Sequence, residues 1–156
     1  MSPLGQKVKV RGGSSVTAVG AHRSGNPGSV GSGLNVTFDT TDWNHGSMLL
    51  PTDESILVPS GSPDSLWIAS AYAELEDPDL DETHIEIRAT GTGWSFHPLN
   101  SLVLQVRPDA FGNMSGTVSY VLKLEDGEGV TMFVGGASGI TECNFAFLEL
   151  VKLADI

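Results

Sequence analysis

From Leu34 onward the apolar residues alternate with polar or small ones and never sustain the spacing of a helix face. "LNVTF" alternates. "SILV" runs into "PSGSPDS", a Pro/Gly turn cluster. "LWIASAYAEL" sets Leu66, Ile68 and Tyr72 on one face and Trp67, Ala69, Ala71, Ala73 and Leu75 on the other. "HIEIRAT" alternates again, and "SLVLQVRP" carries Leu102, Leu104 and Val106. "TVSYVLKLE" and "VTMFVGG" flank "DGEG", a hairpin signal because Gly supplies the positive φ that a tight turn needs. No internal repeat is present. The pattern predicts about seven to nine short strands in an all-β, two-sheet antiparallel sandwich.

The closing segment "ECNFAFLELVKL" departs from simple alternation. Read as a strand, it points Cys143, Phe145 and Phe147 one way and Ala146, Leu148 and Leu150 the other. Both faces are apolar. A sandwich strand ordinarily shows one face to solvent. Two apolar faces call for cover on both sides, by the second sheet and by another subunit, with a loop or arm of the same chain as the alternative cover. Phe145, Phe147, Leu148 and Leu150 are the candidate subunit contacts. Cys143, the single cysteine, reads as a small buried hydrophobe in this run.

The chain has a net charge of −11, unevenly spread. Lys7, Lys9, Arg11 and Arg23 precede every acid; all 19 acidic residues lie from Asp39 onward. An acidic body disfavours nucleic acid, whose binding exchanges protein cations for counterions at phosphates. Residues 20 to 33, "GAHRSGNPGSVGSG", hold five glycines and a proline and offer little to bury. They read as a linker or extended arm. The expected division is a basic Gly/Ser-rich arm over residues 1–33 and a folded body over 34–156. "KVKV" and "SSVTAV" within the arm carry a strand signal of their own. Lys7, Lys9, Arg11 and Arg23 suit docking on an acidic surface. The N-terminal "MSPLGQKVKV" lacks an apolar core after its charges, so no secretion signal is expected. No apolar run approaches the roughly 20 residues of a membrane helix, so no membrane partner is expected.

Site chemistry is sparse. In "ELEDPDLDETHIE", Asp77, Asp79 and Asp81 fall at the first three ligand positions of a helix–loop–helix calcium loop. The required Gly is Glu82 and the closing Glu is Arg88, so the run reads as a solvated loop. His22, His45, His84 and His97 show no zinc spacing. There is no Gly-x-Ser-x-Gly elbow and no phosphate-cradling loop. No metal, cofactor or catalytic group is expected.

The stretch "VTFDTTDWNHGSMLL" and the residues after it resemble the tumour-necrosis-factor/complement-type jelly roll. In that family a Phe-Asp strand end precedes a loop with an aromatic residue. A short strand comes next, then an Ile-x-Val-Pro-x-x-Gly turn into a long strand. Here these are Phe38-Asp39, Trp43, Met48 to Leu50, and Ile56-Leu57-Val58-Pro59-Ser60-Gly61. The family's closing apolar strand matches "NFAFLELVKL", and the resemblance spans residues 34–153. The family's Gly-x-Tyr after the turn is replaced by "SPDSLW", with Trp67 in the aromatic role. The resemblance implies that Asp39, Asp42 and Asn44 are turn formers and that Trp43 packs over the sandwich end. It implies a homotrimer with the closing strand near the threefold axis.

Stand-alone copies resemble accessory virion proteins of tailed bacteriophages. The resemblance therefore implies a non-enzymatic structural protein on the virion surface. Its partners would be major capsid or tail proteins, with head decoration ahead of a minor tail role. The second function class is a carbohydrate-binding module for host attachment, with Trp43 and Trp94 touching a surface glycan. An enzyme on this fold is the third, and no residue set supports it.

Overall fold

The computed structural model describes residues 17–24, 34–46, 55–76, 83–90, 101–136 and 142–156. Among them there is no helix, and ten strands are present: β1 (Ala18–Ser24), β2 (Leu34–Asn35), β3 (Thr40–His45), β4 (Ser55–Leu57), β5 (Ser65–Glu76), β6 (Thr83–Thr90), β7 (Ser101–Val106), β8 (Asn113–Leu124), β9 (Gly129–Gly136) and β10 (Glu142–Asp155). One sheet runs β3-β1-β10-β5-β8; the other runs β2-β9-β6-β7. β4 also pairs with β9, so β2 and β4 share the edge of β9 that β6 leaves open. Every pairing is antiparallel. This is the expected two-sheet sandwich.

The core lies between the sheets. β5 turns Trp67, Ala69, Ala71, Ala73 and Leu75 inward, the five residues that its alternation groups on one face. β6 and β9 supply Ile85, Ile87, Val130, Met132 and Val134 from the other side. Leu148 and Leu150 of β10 are fully buried. Gly116 of β8 sits directly against side chains of the second sheet. A Cβ there would lie 2.7 Å from Leu104 and Val106 side-chain carbons.

The "DGEG" hairpin forms as expected. Glu128 N donates to Glu125 O at 3.1 Å across Asp126-Gly127, with Gly127 at φ 77°. Gly61, at φ 78°, closes the Pro59–Ser62 turn, and its N–H donates to Asp126 Oδ1 at 2.9 Å. The two turns are thereby tied together at one end of the sandwich. Gly129, where β9 starts, has a different role. A Cβ there would stand 2.1 Å from the Ile56 carbonyl oxygen of β4. Backbone cannot rotate aside as a side chain can, so Gly129→Ala should push β4 off the edge of β9. A loss of about 1–3 kcal/mol is expected, read as a lower urea midpoint at unchanged slope.

Three expectations change. First, residues 20 to 24 are not a linker. Ala18–Ser24 forms β1, hydrogen-bonded to β10 on one side and β3 on the other, with Val19 and Ala21 fully buried. A boundary at residue 33 therefore cuts through a sheet. Second, Asp42 and Asn44 do not make a turn over the sandwich end. Thr40–His45 is a strand, because β1 gives its backbone a ladder and His22 takes the Asp42 side chain. Third, Cys143 does not share a face with Phe145 and Phe147. The register slips between Cys143 and Phe145, opposite Leu75 and Glu74, leaving Asn144 as the extra residue. One inserted residue flips everything before it. Cys143 thus joins the core, where burial pushes its thiol up to about 11 and leaves it un-ionised at neutral pH. The short strand expected at Met48 to Leu50 and the acidic run from Asp77 lie outside the described residues.

Candidate functional site on the outward face of the β10 sheet

The β10 sheet has one face on the core and one turned away from it. The register sets out the second face in rows. Ser24, Phe145, Glu74 and Ser115 make one row across β1, β10, β5 and β8. His22, Phe147, Tyr72 and Thr117 make the next. Then come Gly20, Glu149, Ser70 and Ser119, and after them Ala18, Val151, Ile68 and Val121. Trp43 of β3 is paired with Gly20.

Aromatic rings fill one half of this face. Trp43 and Phe147 have centroids 5.5 Å apart, and His22 stacks on Phe145 at 5.7 Å. Tyr72 tilts against Phe145 at 6.1 Å. Gly20 makes this packing reachable, since a Cβ there would come within 2.5 Å of Trp43 indole carbons. The polar groups at the margin hold one another. His22 Nδ1 lies 2.7 and 2.9 Å from the two Asp42 carboxylate oxygens. Tyr72 Oη donates to Glu74 Oε1 at 2.8 Å, and that bond raises the phenol's pKa.

Leu66, Ile68, Val121 and Val151 form an aliphatic half beyond the third row, with Val121 54% exposed. Phe145, Phe147, Tyr72, Trp43 and Ile68 are only half-buried by their own chain. Between the two halves sit Glu149 and the serines. Ser119 Oγ donates to Ser70 Oγ at 2.9 Å. The Glu149 carboxylate is half-buried, and desolvation raises its pKa. A broad apolar sheet face with ringed margins is a surface shaped to be covered. It offers stacking and burial.

No protein-family model and no curated protein matches the sequence. Solved structures do match. The globular domain of zebrafish complement 1qA protein aligns with TM-score 0.61 over 90% of this chain and 99% of its own, at 11% identity. Murine APRIL at pH 5.0 aligns with TM-score 0.64 over 88% and 99%, at 13% identity. PRD1 vertex protein P5 aligns with TM-score 0.58 over 92% and 100%, at 14% identity. The fold is the tumour-necrosis-factor/complement-type jelly roll. At these identities the fold is what is shared.

Within the jelly roll, the residues singled out from sequence separate. Phe145 and Phe147 lie on the outward face, while Leu148 and Leu150 are fully buried between the sheets. Trp43 lies on the outward face, packed on Phe147. Arg23 is on the opposite side of β1, where Nη1 donates to Thr37 O and Oγ1. Lys7, Lys9, Arg11 and Trp94 lie outside the described residues. Sequence reasoning missed His22, Tyr72 and Glu149. The available signal for Glu149 was an acid set between Leu148 and Leu150 in an apolar strand.

The jelly roll's other sheet carries a second cluster on its outward side. Arg88 Nη2 pairs with Glu86 Oε2 at 2.8 Å and stands 3.5 Å over the Phe133 ring, on which His84 also stacks. Glu86 is 3% exposed. Its charge is matched within the cluster, so the group packs the sheet rather than opening a site. Among the described residues no group of His, Cys, Asp and Glu could hold a metal ion.

Proposed function

We propose that this chain is a non-enzymatic structural protein of a tailed-bacteriophage virion. In this reading it assembles as a homotrimer through the outward face of the β10 sheet and sits on the capsid in preference to the tail. One observation carries the reading. A chain of net charge −11 keeps an aromatic and an aliphatic half on one face across the central strands of one sheet, with Glu149 as the one carboxylate between them and its other charges at the margins. Like-charged copies meet most cheaply where charge is sparse. Closed symmetric oligomers are the usual outcome for such faces, and a trimer matches the threefold positions of a capsid lattice. The phage PRD1 vertex protein among the structural neighbours supports the virion setting. Lys7, Lys9 and Arg11 would dock on an acidic surface of the particle, so attachment should weaken as salt rises. Trp43 belongs to the same face, so a glycan-binding role for it would compete with assembly.

Light scattering on the purified chain, followed by gold labelling of intact particles, tests the proposal. The expected results are a mass of three chains and label on heads. A stable monomer at micromolar concentration defeats the assembly, and label confined to tails defeats the capsid placement.

A further inference from the structure

We infer that assembly through this face takes up a proton at Glu149, so that the oligomer tightens on acidification. The inference rests on the reading of the face as a subunit interface and adds its regulation. Glu149 lies on the middle row, between the aromatic and aliphatic halves, with Gly20 and Ser70 as its cross-strand neighbours. A second copy that covers both halves must cover Glu149.

No counter-charge among the described residues meets the carboxylate. Among the described residues Glu149 has neither a hydrogen-bond donor nor a paired cation. Ser70 is already engaged with Ser119. The described cations are committed elsewhere. Lys123 is held by Asp64 and Glu125, Lys152 by Asp155 and Arg88 by Glu86. Arg23 donates to Thr37, and Arg107 also has a partner.

The titratable groups sharing the face do not change this. On β1 there is His22, tied to Asp42 of β3, and beyond β1 the exposed His45 of β3 pairs with Ala18, one row from Glu149. On β5 there are Tyr72 and Glu74, bonded to each other, and Glu74 is a like charge. On β8 there is Lys123, paired in register with Leu66 and so four residues along β5 from Ser70. The flanking positions on β10 itself are Phe147 and Val151. Partial burial already favours the protonated form of Glu149. A covering subunit removes the remaining water, which favours it further.

The sign follows from linkage. The assembled state binds more protons at Glu149 than the free chain does. Assembly is therefore tightest at and below the carboxylate's ordinary range and weakens as pH rises through its raised value. Within that window the effect is about tenfold per chain for each pH unit.

The test uses the full chain at fixed ionic strength. Sedimentation over a dilution series, or the urea midpoint of dissociation where dilution does not separate the subunits, is read at pH 5 and pH 8. Wild type, Glu149→Gln and Glu74→Gln are compared. Wild type and Glu74→Gln should dissociate at least tenfold more readily at pH 8. Glu149→Gln should stay assembled at both, because it keeps the shape and removes the charge. Any general effect of net charge is common to all three proteins and cancels in the comparison. The inference is overturned if Glu149→Gln keeps the wild-type pH dependence, or if wild type is equally tight at both pH values or weaker in acid. Chains that are monomeric at both pH values, Glu149→Gln included, defeat the interface reading instead.

Discussion

A chain begun at Leu34 should be insoluble, and a chain begun at Thr17 should fold. The difference is β1. Seven of its residues pair with β10 and five positions pair with β3. A ladder of roughly a dozen hydrogen bonds, at about 1 kcal/mol net apiece, rivals the whole stability of a domain, about 5–15 kcal/mol. The burial of Val19 and Ala21 is lost as well. β3 is left without a partner, and β10 becomes an edge strand with apolar side chains on both faces. A long apolar edge is a template for aggregation. Expression of residues 34–156 and 17–156 side by side, with solubility and circular dichroism as readouts, separates strand from arm. A soluble, strand-rich product from Leu34 would mean that β3 or another segment can replace β1 beside β10.

The jelly roll is legible wherever local chemistry and the final structure agree. β5 alternates through its whole length, and the two faces its sequence sets out are the two it has, with Trp67, Ala69, Ala71, Ala73 and Leu75 buried. Asp126-Gly127 forms the hairpin its glycine permits. β1 is obscured because its composition answers to a distant residue. Gly20 is glycine to admit Trp43, and a strand built of "AVGAHRS" has few large side chains to announce it. Asp42 reads as a turn former until His22, twenty residues earlier, claims its carboxylate. The single-residue slip at Asn144 leaves no periodic trace on one side, so alternation alone puts Cys143 on the wrong face. The candidate site is a product of pairing. Phe147, Tyr72 and His22 are far apart in sequence and become one row only once β1, β10 and β5 are in register.

That row supplies the sharpest separation of assembly from folding. Phe147 is half-exposed, next to Trp43 and between His22 and Tyr72. Leu148, the next residue, is fully buried between the sheets. In Phe147→Asp the new carboxylate stays wet in a lone chain, so the sandwich should keep its strand content. In an assembled particle the same carboxylate is covered and unpaired. At a cost of about 4 kcal/mol for burying it, association should weaken about a thousandfold. Light scattering should then report one chain's mass at concentrations where the proposed wild-type trimer gives three. Leu148→Asp should behave differently. Its charge would be driven into the core, and the protein should lose its cooperative melt at any concentration. If Phe147→Asp still assembles like wild type, the outward face of β10 is not part of the interface. If Phe147→Asp unfolds as Leu148→Asp does, this face is held by the chain's own arm.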